Sequence, residues 1–191
     1  NGAQDTWPNW SSIEPRKGAA IGLDLGVKIL AQSSNGTTYP NINKETRVKR
    51  LIQKQKTEIE KLNRKIESRK RKMESGIENS SRKNIDKQHV KVQKIIKQLY
   101  DVRMDNTNKV IADILSTNPE YIAIEDINST EMQNEATKAK AAGFATAISQ
   151  NWLYTFQKRL TERCTEEGIE LRVINKWYPS TQLCSECGAK K

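Results

Sequence analysis

Short apolar runs and long amphipathic stretches follow one another along this chain. Residues 19–33 hold two apolar runs that meet at Gly26, and Asn35-Gly36 is a tight-turn signal before the extended segment at 37–39. This pattern predicts three antiparallel strands in a meander. In residues 44–109 the apolar positions recur at spacings of three, four and seven, which predicts two long helices. The polar residues between Ser75 and Ser81 predict the loop that joins them.

The rest of the chain alternates between strand and helix patterns. Asn118-Pro119 ends the second long helix, and residues 121–124 form a short apolar run that leads to Glu125. A helical pattern covers residues 145–167, Gly168 is typical of a helix end, and residues 169–174 alternate as a strand. This order predicts an α/β fold with a ribonuclease H-like mixed sheet. The expected parts are a linker at 1–18, a core at 19–43 and 110–178, an inserted basic antiparallel helical hairpin at 44–109, and the start of an incomplete zinc-finger segment at 179–191.

The charge of the chain is strongly positive and is concentrated in the predicted hairpin. The sequence has 33 Lys and Arg against 23 Asp and Glu, for a formal net charge of +10 and a pI near 9.5. Residues 44–109 hold 21 of those cations and 9 of the acids. An excess of one sign favours a polyanionic partner, with nucleic acid as the first expectation. The alternative is a solvated helical pair whose Lys and Arg only confer solubility.

Composition also argues against several classes of protein. The sequence has no run of eighteen apolar residues, so it does not predict a membrane span. The first ten residues do not have the pattern of a signal peptide. Three cysteines are an odd number, which does not suggest a secreted disulfide framework. We therefore expect a cytoplasmic protein, associated with the nucleoid in a prokaryote.

Two carboxylates follow apolar runs and are the main candidates for chemistry. Asp24 lies in Gly-Leu-Asp-Leu-Gly, and Glu125 ends Tyr-Ile-Ala-Ile-Glu. Carboxylates held at strand ends and brought together bind hard divalent ions such as Mg²⁺ or Mn²⁺, which assist phosphodiester hydrolysis. Asp24 could instead cap a turn before Gly26, or bind phosphate as in actin-like ATPases. The ATPase alternative needs a second glycine-rich loop, which the 9 glycines do not form.

The number of acids is smaller than a two-metal centre normally uses. Such centres need three or more carboxylates to hold two ions about 4 Å apart. Asp126 follows Glu125 but points to the other side of an extended strand, where it fits a helix cap or a supporting role. The sequence therefore places two carboxylates, Asp24 and Glu125.

Cys184 and Cys187 form half of a zinc knuckle. Two thiolates at this spacing can turn around one tetrahedral ion, which needs four ligands in all. Cys164 lies upstream in a helical pattern. A dithiol redox pair is the alternative interpretation.

Four stretches together resemble the TnpB/OrfB family of transposon-encoded proteins, which is related to type V CRISPR nucleases and to Fanzor. Residues 22–28 are similar to its first RuvC motif and residues 124–128 to its second, and residues 151–156 resemble its Trp-containing helix. Residues 178–188 resemble the opening of its zinc-binding insertion. The resemblance implies that Asp24 and Glu125 bind Mg²⁺ and that Cys184 and Cys187 bind zinc in the full-length protein.

The resemblance also implies an activity, namely RNA-guided cleavage of DNA by a magnesium-dependent RuvC endonuclease. DNA and a guide RNA are then the expected partners, with base pairing carrying the sequence specificity. The family's second cysteine pair and third RuvC aspartate have no counterpart before Lys191. We expect this chain to be truncated at both ends and impaired in catalysis. The alternative is a non-cleaving RNA-guided DNA-binding protein or transposition accessory protein.

Overall fold

The computed structural model describes residues 18–26, 28–76, 82–126 and 143–174, with side chains in the last range from Trp152 onward. Its elements in chain order are β1 (Ile21–Leu25), β2 (Ile29–Ser33), β3 (Thr38–Pro40), a 3₁₀ turn (Ile42–Lys44), α1 (Thr46–Glu74), α2 (Lys83–Ser116), β4 (Tyr121–Glu125), α3 (Gly143–Glu167) and β5 (Glu170–Ile174).

The five strands form one mixed sheet in the order β3-β2-β1-β4-β5. The first three strands pair antiparallel as a meander, whereas β4 pairs parallel with β1 and β5 pairs parallel with β4. The predicted α/β class is confirmed. Strands β1 and β4 are neighbours in the sheet although about a hundred residues separate them in the sequence.

One face of this sheet packs against helices. Alternate strand residues such as Leu23, Ile122 and Leu171 are buried together with Ile111 and Ile114 of α2 and with Phe156 and Leu160 of α3. Period-two alternation places the intervening residues on the opposite face. The sheet therefore has a core face, and a second face that carries its polar side chains.

Two glycines end elements as the sequence predicts. Gly36 adopts φ 91° between β2 and β3, where Ser33 donates its backbone N–H to the Thr37 carbonyl at 2.9 Å. Gly168 adopts φ 63° after α3. Its N–H and that of Ile169 donate to the carbonyls of Thr165 and Cys164 at 3.3 and 2.8 Å. This pair of bonds is a Schellman motif, and it directs the chain from α3 into β5.

The chain divides into two compact units. The first comprises residues 1–41 and 109–191, and the second comprises residues 42–108. In the part of the chain that the structure describes, no helix is both long and apolar enough to cross a membrane.

The second unit is a helical hairpin. Lys65 contacts Gln88, Glu58 contacts Lys91, and Arg103 donates to Asn43 at 2.8 Å. Because later residues of α2 meet earlier residues of α1, the two helices run antiparallel. Val48 of α1 packs with Ile95 and Leu99 of α2 in a small apolar cluster.

The hairpin interface is more polar than the sequence pattern predicts. Ile66, Met73 and Ile96 belong to the apolar stripes of the two helices, but their side chains are exposed. The buried side chains in the middle of the hairpin include Glu58 and Gln88. These two polar residues bond to each other and to lysines, so burying them leaves no unpaired charge.

Candidate metal centre

The two predicted carboxylates end neighbouring strands of the first unit. The parallel ladder between β1 and β4 pairs Ile21 with Ile122 and Leu23 with Ile124. The next residue on each strand is Asp24 on β1 and Glu125 on β4. Adjacent strands lie about 4.8 Å apart. The structure therefore brings Asp24 and Glu125 together at the same level of the sheet.

Both carboxylates lie on the face of the sheet opposite the helices. Leu23 and Ile124 are buried in the core, and the residue after each points to the other face. Asp24 and Glu125 are accordingly exposed. Within the described ranges, neither carboxylate has an ion-pair or hydrogen-bond partner. Two adjacent carboxylates with which no described cation pairs fit a divalent cation.

Backbone hydrogen bonds fix the segments on either side of the pair. The N–H of Gly26 donates to the Leu30 carbonyl at 3.2 Å, and the N–H of Asp126 donates to the Ile174 carbonyl at 2.9 Å. A Cβ at Gly26 would lie 3.2 Å from the Ile29 carbonyl oxygen, so the turn after β1 leaves little room for a side chain. Strand ends held in this way give the two carboxylates a fixed spacing, as a metal site requires.

A row of side chains crosses the sheet at the level of the pair. Asp24 pairs with Gln32 of β2, Gln32 pairs with Thr38 of β3, and Glu125 pairs with Ile174 of β5. The Thr38 hydroxyl donates to Oε1 of Gln32 at 2.6 Å. This bond occupies the amide oxygen and leaves the amide N–H groups of Gln32 as donors beside Asp24.

Sequence reasoning missed Gln32. The meander around Gly26 and the turn at Asn35-Gly36 carry a signal for it, because together they align β1, β2 and β3. The strand register was needed to identify the residue opposite Asp24, and a shift of one residue would have put Gln32 on the core face.

The donor set suits one hard cation. Mg²⁺ is commonly bound through one or two carboxylates together with waters and substrate phosphates, and Asp24 and Glu125 supply two carboxylates. Among the described residues, no group of three or more His, Cys, Asp or Glu is arranged to hold a metal. The structure therefore shows a carboxylate pair and no larger acidic cluster in those ranges.

The cysteines divide into one buried thiol and a pair outside the described residues. Cys164 is a free cysteine buried in α3, and burial, with the nearby Glu167 carboxylate, raises the pKa of its thiol to about 12. It is a core residue. The predicted zinc ligands Cys184 and Cys187 lie outside the described residues.

The second face of the sheet, which carries Asp24 and Glu125, also carries a cation two residues before the end of β5. Arg172 pairs with Ala123 across the β4–β5 ladder, lies 3.6 Å from the centre of the Tyr121 ring, and bonds to Glu170 through two nitrogens at 2.8 and 2.9 Å. Glu170 therefore neutralises this guanidinium on its own strand, and the pKa of Glu170 is lowered mainly by that contact.

Comparison with known proteins gives one family match and two curated relatives. Residues 154–191 match the sequence model of the Cas12f1-like TNB domain. The chain is 26% identical over 174 residues to a Streptomyces pristinaespiralis protein provisionally named an RNA-guided DNA endonuclease, an alignment that covers 91% of this chain and 38% of that protein. It is 28% identical over 178 residues to the Escherichia coli strain K12 protein InsQ, which bears the same provisional description, and here the alignment covers 88% of this chain and 40% of the relative.

The chain thus spans about two fifths of the length of these relatives. These matches support the resemblance to the TnpB/OrfB family that the sequence motifs carry.

Proposed function

We propose that this chain supplies the Mg²⁺-binding carboxylates of a RuvC-type nuclease core in an RNA-guided DNA endonuclease. The observation that carries the proposal is the placement of Asp24 and Glu125 side by side at the ends of two parallel strands. The meander of β1 to β3 followed by parallel β4 and β5 is the arrangement we expect of a ribonuclease H-like sheet. The provisional names of the two relatives favour DNA as substrate and a guide RNA as partner.

In this proposal the residues of the sheet bind and orient rather than transfer protons. Asp24 and Glu125 hold the ion from two strands whose spacing the ladder fixes. Gln32 lies opposite Asp24 in the β1–β2 ladder, and its amide oxygen accepts from the Thr38 hydroxyl. Held by these two carboxylates, Mg²⁺ would supply Lewis-acid activation of water and stabilisation of charge on the phosphodiester oxygens. Cys184 and Cys187 supply two thiolates of a proposed zinc site.

A second candidate function is RNA-guided DNA binding without cleavage. It is favoured by one observation, namely that the described residues place two carboxylates, and no third, at this end of the sheet. Both candidates share a divalent ion at the pair and a nucleic-acid partner. They differ in whether the bound DNA is cut.

Metal titration tests the centre directly. Mn²⁺, which is paramagnetic, is titrated into the chain and into Asp24→Asn and Glu125→Gln variants, with free Mn²⁺ read by electron paramagnetic resonance. Each variant should bind Mn²⁺ at least about tenfold more weakly, because the charge of the ligands sets divalent affinity. Asp126→Asn is the matched control, since Asp126 is also exposed but follows the end of β4. Equal binding by all four proteins would refute the proposed centre.

Nicking of supercoiled plasmid DNA in Mg²⁺ or Mn²⁺ then separates the two candidates. Cleavage that Asp24→Asn abolishes supports the nuclease. Metal binding at the pair together with DNA binding and no cleavage supports the non-cleaving alternative.

A further inference from the structure

One face of α1 carries a stripe of cations. Successive cations of the stripe are three, one, four and three residues apart in the sequence. These spacings place them on one side of a helix with about 3.6 residues per turn. With Ser68, and with Asn84 and Ile85 of α2, they line a groove of about 380 Å³. The cations are Lys61, Arg64, Lys65, Arg69 and Lys72.

Among the residues that the structure describes, the lining of this groove contains no acid. Glu58 is close in sequence, but its side chain is turned inward and only 6% exposed. Its carboxylate accepts from Lys61 at 2.8 Å, from Lys91 at 3.0 Å and from Gln88 at 2.7 Å. Hydrogen bonds from these three residues lower the pKa of Glu58 to about 2, so it remains ionised at neutral pH.

The same contacts hold part of the stripe in place. Lys61 is anchored by Glu58, and Lys65 donates to Oε1 of Gln88 at 3.0 Å. Gln88 in turn donates to the Glu58 carboxylate and to its backbone carbonyl at 3.1 Å. Ammonium groups that are already ordered lose less conformational entropy when they bind a polyanion. The groove is therefore preorganised as well as positive.

The length of the stripe matches a nucleic-acid backbone. The twelve residues from Lys61 to Lys72 span about 16 Å, since each step along the helix rises about 1.5 Å. Phosphates of one strand of a duplex follow each other about every 3.4 Å along its axis, so about five of them face this length. A second groove of the hairpin, lined by Arg47, Arg50 and Lys54, also contains Asp101 and two apolar residues, and it fits a polyanion less well.

We propose that the groove along Lys61, Arg64, Lys65, Arg69 and Lys72 binds the phosphodiester backbone of a nucleic-acid strand. The inference rests on the proposed function for its nucleic-acid partner, and it assigns that contact to one side of one helix. Binding at the groove does not depend on the carboxylate pair Asp24 and Glu125. RNA and DNA present the same backbone chemistry, and the experiment distinguishes them.

The test uses fluorescence anisotropy of labelled 20-mers with the purified chain over a series of KCl concentrations, in EDTA. Single-stranded RNA, single-stranded DNA and an RNA–DNA hybrid form the three arms. The variant is Arg64→Ala with Lys72→Ala. The matched control is Lys49→Ala with Lys56→Ala, which removes the same charge from the opposite side of α1 at exposed positions.

The salt dependence gives the expected result. The logarithm of the binding constant falls with the logarithm of the salt concentration. Loss of two phosphate contacts makes this slope shallower by about 1.8 for a duplex and by about 1.4 for a single strand. The control pair should leave the slope near that of the wild-type chain. The arm with the largest change identifies the strand that the groove holds. Arg64→Lys with Lys72→Arg should keep the slope, because both substitutions preserve the charge.

Three outcomes would overturn the inference: no binding by the wild-type chain at low salt, an equal loss in both alanine pairs, or an unchanged slope in the groove variant. Equal far-UV circular dichroism and melting temperatures of the two pairs exclude unfolding as the cause. The Mn²⁺ titration keeps this result separate from the proposed function. A groove variant that binds nucleic acid normally, beside an Asp24→Asn chain that loses Mn²⁺, refutes the groove and leaves the metal centre intact.

Discussion

Asp24 and Glu125 lie side by side on parallel strands β1 and β4, one residue beyond the buried pair Leu23 and Ile124. Neither acid has a protein partner within the described ranges. Like charges at directly neighbouring positions of a sheet are destabilising. The pair therefore reduces the stability of the metal-free sheet, and a bound cation removes that cost.

This relationship predicts a stability effect that reverses with metal. In EDTA, Asp24→Asn should unfold at a slightly higher temperature than the wild-type chain, since it relieves about 0.2–1 kcal/mol of repulsion. In 10 mM Mg²⁺ the wild-type melting temperature should rise, because a ligand that binds only the folded state stabilises it. The variant should not respond. A variant that is less stable than wild type in EDTA would contradict the expected repulsion.

Glu58 predicts an acid-sensitive hairpin. Its pKa is lowered from 4.5 to about 2 in the folded chain, so its contribution to stability is fully present above pH 4.5 and is lost as the pH falls towards 2. Glu58→Gln should lower the melting temperature at pH 7. It should also flatten the loss of stability between pH 4.5 and 2, so that the two proteins converge in acid.

Glu67→Gln is the matched control for that experiment. Glu67 lies on the same helix, but it is exposed and only reaches Arg71 at 3.9 Å. Exposed pairs of this kind contribute little, so its melting curve should follow wild type at every pH. If the two substitutions behaved alike, the buried contacts of Glu58 would not be the cause of the pH dependence.

Tyr39 predicts a transition at the alkaline end. Its hydroxyl donates to the Asp113 carboxylate at 2.7 Å, and burial together with that bond raises the pKa of Tyr39 from 10.0 to about 12. The stabilisation is full below pH 10 and is lost as the pH rises through 12. Absorbance at 295 nm should show one of the 5 tyrosines titrating last, and Tyr39→Phe should remove that step. The same variant should cost about 1 kcal/mol at pH 7.

The strands were predictable from local patterns, and the pairings between them were not. Alternation and turn residues are local signals, so the strands at Asp24 and Glu125 follow from the sequence. That Gln32 lies opposite Asp24 depends on strand register, which the whole sheet sets. The polar interface of the hairpin escaped prediction for a different reason. Glu58 and Gln88 resemble solvated helix residues when each is considered alone, and only their contact across the two helices satisfies them in the interior.

Cys164 predicts a thiol that is inert in the folded chain. It is buried in α3, and its pKa of about 12 leaves almost no thiolate at pH 8. In a Cys184→Ser, Cys187→Ser chain, Cys164 is the only one of the 3 cysteines that remains. Ellman's reagent at pH 8 should therefore label this chain slowly when folded and rapidly in 6 M guanidinium chloride.

Cys164→Ser, which keeps the other two cysteines, is the companion variant. Added Zn²⁺ should protect the two thiols of the Cys164→Ser chain, because the proposed zinc ligands are Cys184 and Cys187. In the Cys184→Ser, Cys187→Ser chain, added Zn²⁺ should leave the labelling rate of Cys164 unchanged. Rapid labelling of folded Cys164, or protection of Cys164 by Zn²⁺, would show that α3 opens or that this thiol joins the metal site.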